Sequence, residues 1–75
     1  MEHVGMVNRF LEAWSSPYVS RTEVSKFSGG IVSPKTLANA DSEGIGPQNK
    51  YYFGKRKVFY LAADLAEWIA SRVSL

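Results

Sequence analysis

The chain has 75 residues, 45% of them apolar and 21% charged, with a net charge of +2 and no cysteine. A chain of this length forms one small domain, burying about 60% of the surface its unfolded form exposes, and its composition is that of a globular protein. It excludes a disulfide framework and a thiolate zinc site. It also excludes a helical membrane span, because no apolar run approaches about 20 residues.

Val4, Val7, Leu11 and Trp14, with Phe10 beside them, recur at helical spacing and predict an amphipathic helix over residues 3–14. Glu2, Arg9 and Glu12 interrupt this stretch, unlike a signal peptide's apolar core, so the chain is read as cytoplasmic. Ser15-Ser16-Pro17 stops the helix, since proline cannot continue the hydrogen-bond ladder. This divides the chain into an N-terminal helix, residues 1–15, and a main domain, residues 16–75.

Ser20 followed three residues later by Glu23 has the form of a capping box and predicts a helix start. Val24 and Phe27 give that helix its buried stripe, and Gly29-Gly30 ends it. A second helix follows after a short turn. Ser33 is its N-cap, Pro34 fits its first turn, and Gly44 closes it. Leu37 is its single large apolar residue, so it packs through a thin edge and shows most of itself to something else.

After the Gly46-Pro47 turn, Tyr51-Tyr52-Phe53 and Val58-Phe59-Tyr60 flank Gly54-Lys55-Arg56-Lys57, which reads as a β-hairpin with cations at its tip. Residues 45–60 contain Lys50, Lys55, Arg56 and Lys57 and no acid, whereas residues 1–44 and 61–75 each carry a balance of −1. A local concentration of charge is what an electrostatic binding footprint requires. Leu61, Leu65, Trp68 and Ile69 then predict a final helix reaching about Val73, with Asp64 and Arg72 placed to suit its dipole. Tyr60, Trp68, Phe27 and Leu37 are core candidates.

From Tyr18 to Arg72 the sequence resembles the excisionase-like branch of the MerR superfamily, which includes phage excisionases and AlpA-type prophage regulators. The resemblance rests on Tyr18-Val19-Ser20-Arg21-Thr22-Glu23-Val24, Ser33-Pro34-Lys35-Thr36-Leu37 and Glu43-Gly44-Ile45-Gly46-Pro47. It continues through Phe53-Gly54-Lys55-Arg56-Lys57-Val58-Phe59-Tyr60 and Asp64-Leu65-Ala66-Glu67-Trp68-Ile69. It implies an α+β, mainly helical winged helix-turn-helix fold with an extra N-terminal helix. Residues 33–43 would be the recognition helix in a major groove, and residues 51–60 the wing. Two departures stand out. Asp41 and Glu43 put acid on or beside the reading helix, and the helix before Pro17 is foreign to the short domain, pointing to a dimer or an added core layer.

The candidate DNA-binding residues follow from their chemistry. Lys35, Thr36 and Asn39 lie within one helical turn and carry groups suited to phosphates or base edges; asparagine pairs bidentately with adenine. Ser33 opens the same helix. Lys55, Arg56 and Lys57 repel one another unless they are solvated, as at an ordinary exposed turn, or paired with outside anions such as phosphates; Lys50 shares their segment. Arg21 and Lys26 lie on the first helix of the pair, which crosses the backbone in such motifs. Asp41 is expected to point away from DNA or to repel a wrong register.

The expected activity is sequence-specific double-stranded DNA binding, as an excisionase partnered with a recombinase (integrase) or as a small transcriptional regulator. Self-association on DNA and a nucleoid-associated location go with it. Neither enzyme chemistry nor a cofactor is expected. His3 is the single histidine, and Gly44-Ile45-Gly46-Pro47 lacks the strand, third glycine and lysine–serine pair of a phosphate loop. Two rival readings remain. One is a protein-interaction module using the apolar stripe of residues 4–14. The other is RNA or single-strand binding, with Tyr51, Tyr52 and Phe59 stacking on bases.

Overall fold

A computed structural model describes residues 2–73. In chain order the elements are helix α1 (Glu2–Ala13), strand β1 (Tyr18–Ser20), a 3-10 turn (Arg21–Glu23) leading into helix α2 (Val24–Ser28), and helix α3 (Pro34–Ser42). Strands β2 (Tyr51–Phe53) and β3 (Lys57–Leu61) and helix α4 (Ala62–Ser71) complete it. The fold is α+β, with four helices and one antiparallel sheet of strand order β1-β3-β2 among the described residues.

The apolar stripe of α1 faces inward. Val7 is buried, Met6, Phe10, Leu11 and Trp14 pack against the core, and Val4 stays exposed. Phe27 meets two rings, stacked on Phe10 of α1 at 5.5 Å and edge-on to Trp14, just after α1, at 5.4 Å. Packed against α2 and α4, α1 is an added core layer. Apart from exposed Val4, the stripe is packed within the fold rather than left free.

Residues 18–20 depart from the expected helix start. The predicted capping box does not form, because no side-chain cap is made at Ser20. Its Oγ meets Thr22 Oγ1 at 3.0 Å and Glu23 Oε1 at 3.5 Å instead. The reason is non-local: Tyr18, Val19 and Ser20 pair with Leu61, Tyr60 and Phe59 as a third strand. Leu61 likewise ends β3 rather than facing the core from α4.

The connection from α2 to α3 is tied by serines. Gly29 adopts the left-handed conformation, with φ 72°, and Gly30 donates back to the Ser25 carbonyl at 2.7 Å. Buried Ser28 accepts from the Val32 amide at 3.0 Å, while the Ser25 hydroxyl donates to the Val32 carbonyl at 3.1 Å. Both backbone groups of the turn residue are satisfied, which lets Val32 enter the core. At the start of α3, Ser33 Oγ accepts from the Thr36 amide at 3.1 Å with Pro34 in the first turn, as the sequence predicts.

Strand alternation divides the sheet into two faces. Val19, Val58 and Tyr60 turn inward and join Leu37, Leu65, Ala66 and Ile69 in the core. Tyr60, Leu37 and Leu65 are fully buried, and each such side chain contributes about 1.5–3 kcal/mol relative to exposure. Trp68 is half-buried, its indole N–H donating to the Ile45 carbonyl at 2.7 Å.

Candidate nucleic-acid interface

Helix α3 is anchored along one edge only. Leu37 and Ala40 are buried and the Asp41 side chain is 5% exposed, whereas Lys35, Thr36, Asn39, Ser42 and Glu43 face outward. Lys35, Thr36 and Asn39 are thus brought together on one exposed surface. Thr36 is partly engaged, its Oγ1 accepting from Ser33 Oγ at 3.0 Å. Ser33 is exposed, but its hydroxyl serves the helix cap. Thr36, Asn39 and Glu43 also border a groove whose far wall is Trp68 and Arg72. Arg72 lies 4.8 Å over the Trp68 ring and donates to the Ile45 carbonyl at 2.8 Å.

Asp41 turns into the protein. Its Oδ2 accepts from Arg21 at 2.6 Å and from the Tyr60 hydroxyl, while Arg21 Nε donates to the same hydroxyl oxygen at 3.1 Å. One carboxylate therefore ties the 3-10 turn, α3 and β3 together. Burial disfavours the Arg21 cation, yet the bonds to Tyr60 and Asp41 outweigh it and hold its pKa above the ordinary value. Tyr60 is pushed well above the usual tyrosine range, by burial first and the Asp41 carboxylate second. A Cβ at Gly46 would overlap the Asp41 carboxylate, so any larger residue there must push that side chain out of its present place.

Arg21 is not a freely solvated surface charge: with its side chain 24% exposed, its guanidinium is engaged by Asp41 and Tyr60. Asp41, expected to point away from DNA or to repel a wrong register, is turned inward by the same pairing and does not share the outer surface of α3. Glu43 remains exposed beside Asn39.

Lys55, Arg56 and Lys57 are all exposed, around a turn in which Gly54 has φ 69°. Arg56 and Lys57 share a cleft with Thr22 and Arg21, so the cationic tip adjoins the turn that Asp41 links to α3. Lys50 is exposed with its ammonium 5.6 Å over the Tyr52 ring, and Lys26 is exposed on α2. Thr22 and Arg72 border these surfaces without being among the DNA-binding candidates read from the sequence. Their placement depends on the sheet register and on α4 packing, which local pattern does not carry.

Among the described residues, no group of three or more histidines or acids could hold a metal ion, and no helix is long and apolar enough to cross a membrane. His3 lies 2.7 Å from Glu67, joining α1 to α4. Comparison with known proteins returns no match among protein-family models, curated proteins or solved structures.

Proposed function

We propose that the chain is a double-stranded DNA-binding protein of winged helix-turn-helix form. In this reading α2 and α3 are the helix pair, α3 enters a major groove, and the β2–β3 hairpin is the wing on the neighbouring backbone or minor groove. The supporting observation is the outer surface of α3. It presents Lys35, Thr36 and Asn39 together while Leu37, Ala40 and Asp41 hold the helix from behind. An α-helix with its side chains, about 10–12 Å across, suits a major groove about 12 Å wide.

The roles differ by residue. Asn39 reads a base edge and Thr36 offers its methyl group, while Lys35, Lys50, Lys55, Arg56 and Lys57 neutralise phosphates. No chemical step is involved. The resemblance to excisionases gives the biological setting: binding at the end of an integrative element and steering a recombinase toward excision. Single DNA-binding modules bury about 600–1,000 Å² of protein surface, so each copy binds weakly and gains from neighbours on adjacent sites.

The test is fluorescence anisotropy of a labelled duplex across a salt series. With about five phosphate contacts, log K falls against log salt with a slope of roughly −4 to −5. Absence of binding at low salt would remove the proposal.

A further inference from the structure

The outer face of the sheet carries rings that the duplex-binding proposal does not use. Register and alternation place Tyr18 on β1, Phe59 and Leu61 on β3, and Tyr51 and Phe53 on β2 along one side. They line a common trough together with Lys57. Tyr51 lies nearly parallel to Phe59 at 5.5 Å, and Tyr18 stands edge-on to Phe59 at 5.7 Å. Phe53, two residues along from Tyr51, is 74% exposed, the barest large apolar side chain among the described residues. This side is opposite Tyr60, whose hydroxyl reaches α3.

Bare rings on a sheet with a short edge strand favour unwanted association unless something covers them. The lining specifies the chemistry of that cover. Its exposed centre is flat aromatic rings, which suit another flat π-system. Lys57 lies within it, Lys55 and Arg56 follow at the hairpin end, and Glu23 borders it beside the 3-10 turn. The cationic excess calls for an anionic occupant. A second copy laid on this face with its hairpin at the same end would set two tips of three cations against each other, which charge repulsion disfavours.

Spacing agrees with unpaired nucleotides. Residues two apart on a strand are separated by about 6.4–6.8 Å, roughly twice the rise per nucleotide of a stacked strand. Bases meeting Tyr51 and Phe53 are therefore splayed from one another and stacked on side chains, as in single-strand recognition.

We infer that the outer sheet face binds single-stranded nucleic acid, stacking unpaired bases on the exposed rings of Tyr51 and Phe53, which Phe59 backs from within the sheet, while Lys55, Arg56 and Lys57 take the phosphates. The site does not use the surface of α3 and stands or falls separately from duplex recognition. Only the tip cations are shared.

Anisotropy with labelled oligothymidine, its uridine counterpart, an abasic strand of equal length and a duplex tests this directly. Phe53→Ala and Tyr51→Ala serve as variants, each first checked for an unchanged melting curve; both side chains are exposed. The expected result is binding of one or both base-bearing strands, with the abasic strand clearly weaker. Each variant should lose about fivefold to a hundredfold in single-strand affinity and much less on duplex, where only the backbone contacts of the wing are at stake. Equal binding of abasic and intact strands would overturn the inference, as would equal losses on single strand and duplex. So would concentration-dependent self-association abolished by Phe53→Ala, without single-strand binding: that would assign the face to a second copy. Single-strand binding without duplex binding would leave this inference standing and remove only the α3 proposal.

Discussion

The Asp41 carboxylate on α3 accepts a hydrogen bond from the Tyr60 hydroxyl on β3, and Arg21 bonds to both. Three segments distant in sequence meet at this cluster, so its removal should loosen the placement of α3 as well as lower stability. Breaking a fully buried pair by deleting one partner costs about 3–5 kcal/mol. Arg21 retains contact with solvent, and Asp41→Ala should therefore cost a smaller 2–3 kcal/mol, roughly. Denaturant unfolding measures this directly, and the melting temperature should fall by about 10–20 °C. Gly46→Ala should act in the same direction by displacing the carboxylate. Unchanged stability in both variants would show that the cluster contributes nothing.

Tyr60 also predicts a pH dependence. Its folded-state pKa is raised above the ordinary tyrosine value of about 10 by burial and by the bond to Asp41. A raised value means that the stabilisation is complete below the unfolded pKa of about 10 and is lost as pH climbs through the folded value. Wild-type stability should therefore decline above about pH 10 more steeply than that of Tyr60→Phe, which has no phenol to ionise there. Near neutrality the order reverses, with Tyr60→Phe weaker by about 1–2 kcal/mol for the lost bond to a charged acceptor. Parallel alkaline limbs in wild type and variant would contradict this account.

Much of the element order was legible because the signals are local: Ser33 and Pro34 at a helix start, Gly29-Gly30 at a helix end, glycine and cations between aromatic runs. The strand at residues 18–20 was not, because Ser20 and Glu23 satisfy a local helix rule while the partners that overrule it lie some 40 residues away. The same limit hid the roles of Arg21 and Asp41. Each reads as a surface charge until the sheet register brings Tyr60 between them. The exposed group Lys35, Thr36 and Asn39 was legible, since one poorly apolar helix can hide only its Leu37 edge.

The N-terminal helix gives a third prediction. Phe10 and Trp14 enclose Phe27, and the Trp14 indole donates to the Tyr18 carbonyl at 2.9 Å. Deleting residues 1–15 should abolish the cooperative unfolding transition rather than release an independent domain. Trp14→Ala alone should cost about 2–4 kcal/mol, toward the low end of large aromatic truncations because the ring is only half-buried. Retention of a sharp thermal transition by the truncated chain would show that α1 is dispensable for the core.

Two variants separate charge from sequence reading in the proposed DNA complex. Lys55, Arg56 and Lys57 are exposed and outside the core, so replacing all three by glutamine should leave stability within about 0.5 kcal/mol of wild type. Losing three phosphate contacts should flatten the salt slope by about 2.7 and weaken binding to every duplex alike. Asn39→Ala should behave differently. The residue lies on the exposed side of α3, its loss leaves Leu37 and Ala40 in place, and an asparagine reading adenine contributes discrimination rather than general attraction. Its affinity for a selected site should fall by about 1–3 kcal/mol while random duplex is bound as before with an unchanged salt slope. Site selection from a random duplex library, followed by titration of the chosen site and a scrambled one, measures both quantities. An equal loss on both duplexes would remove base reading from Asn39 and leave α3 a phosphate-contacting helix.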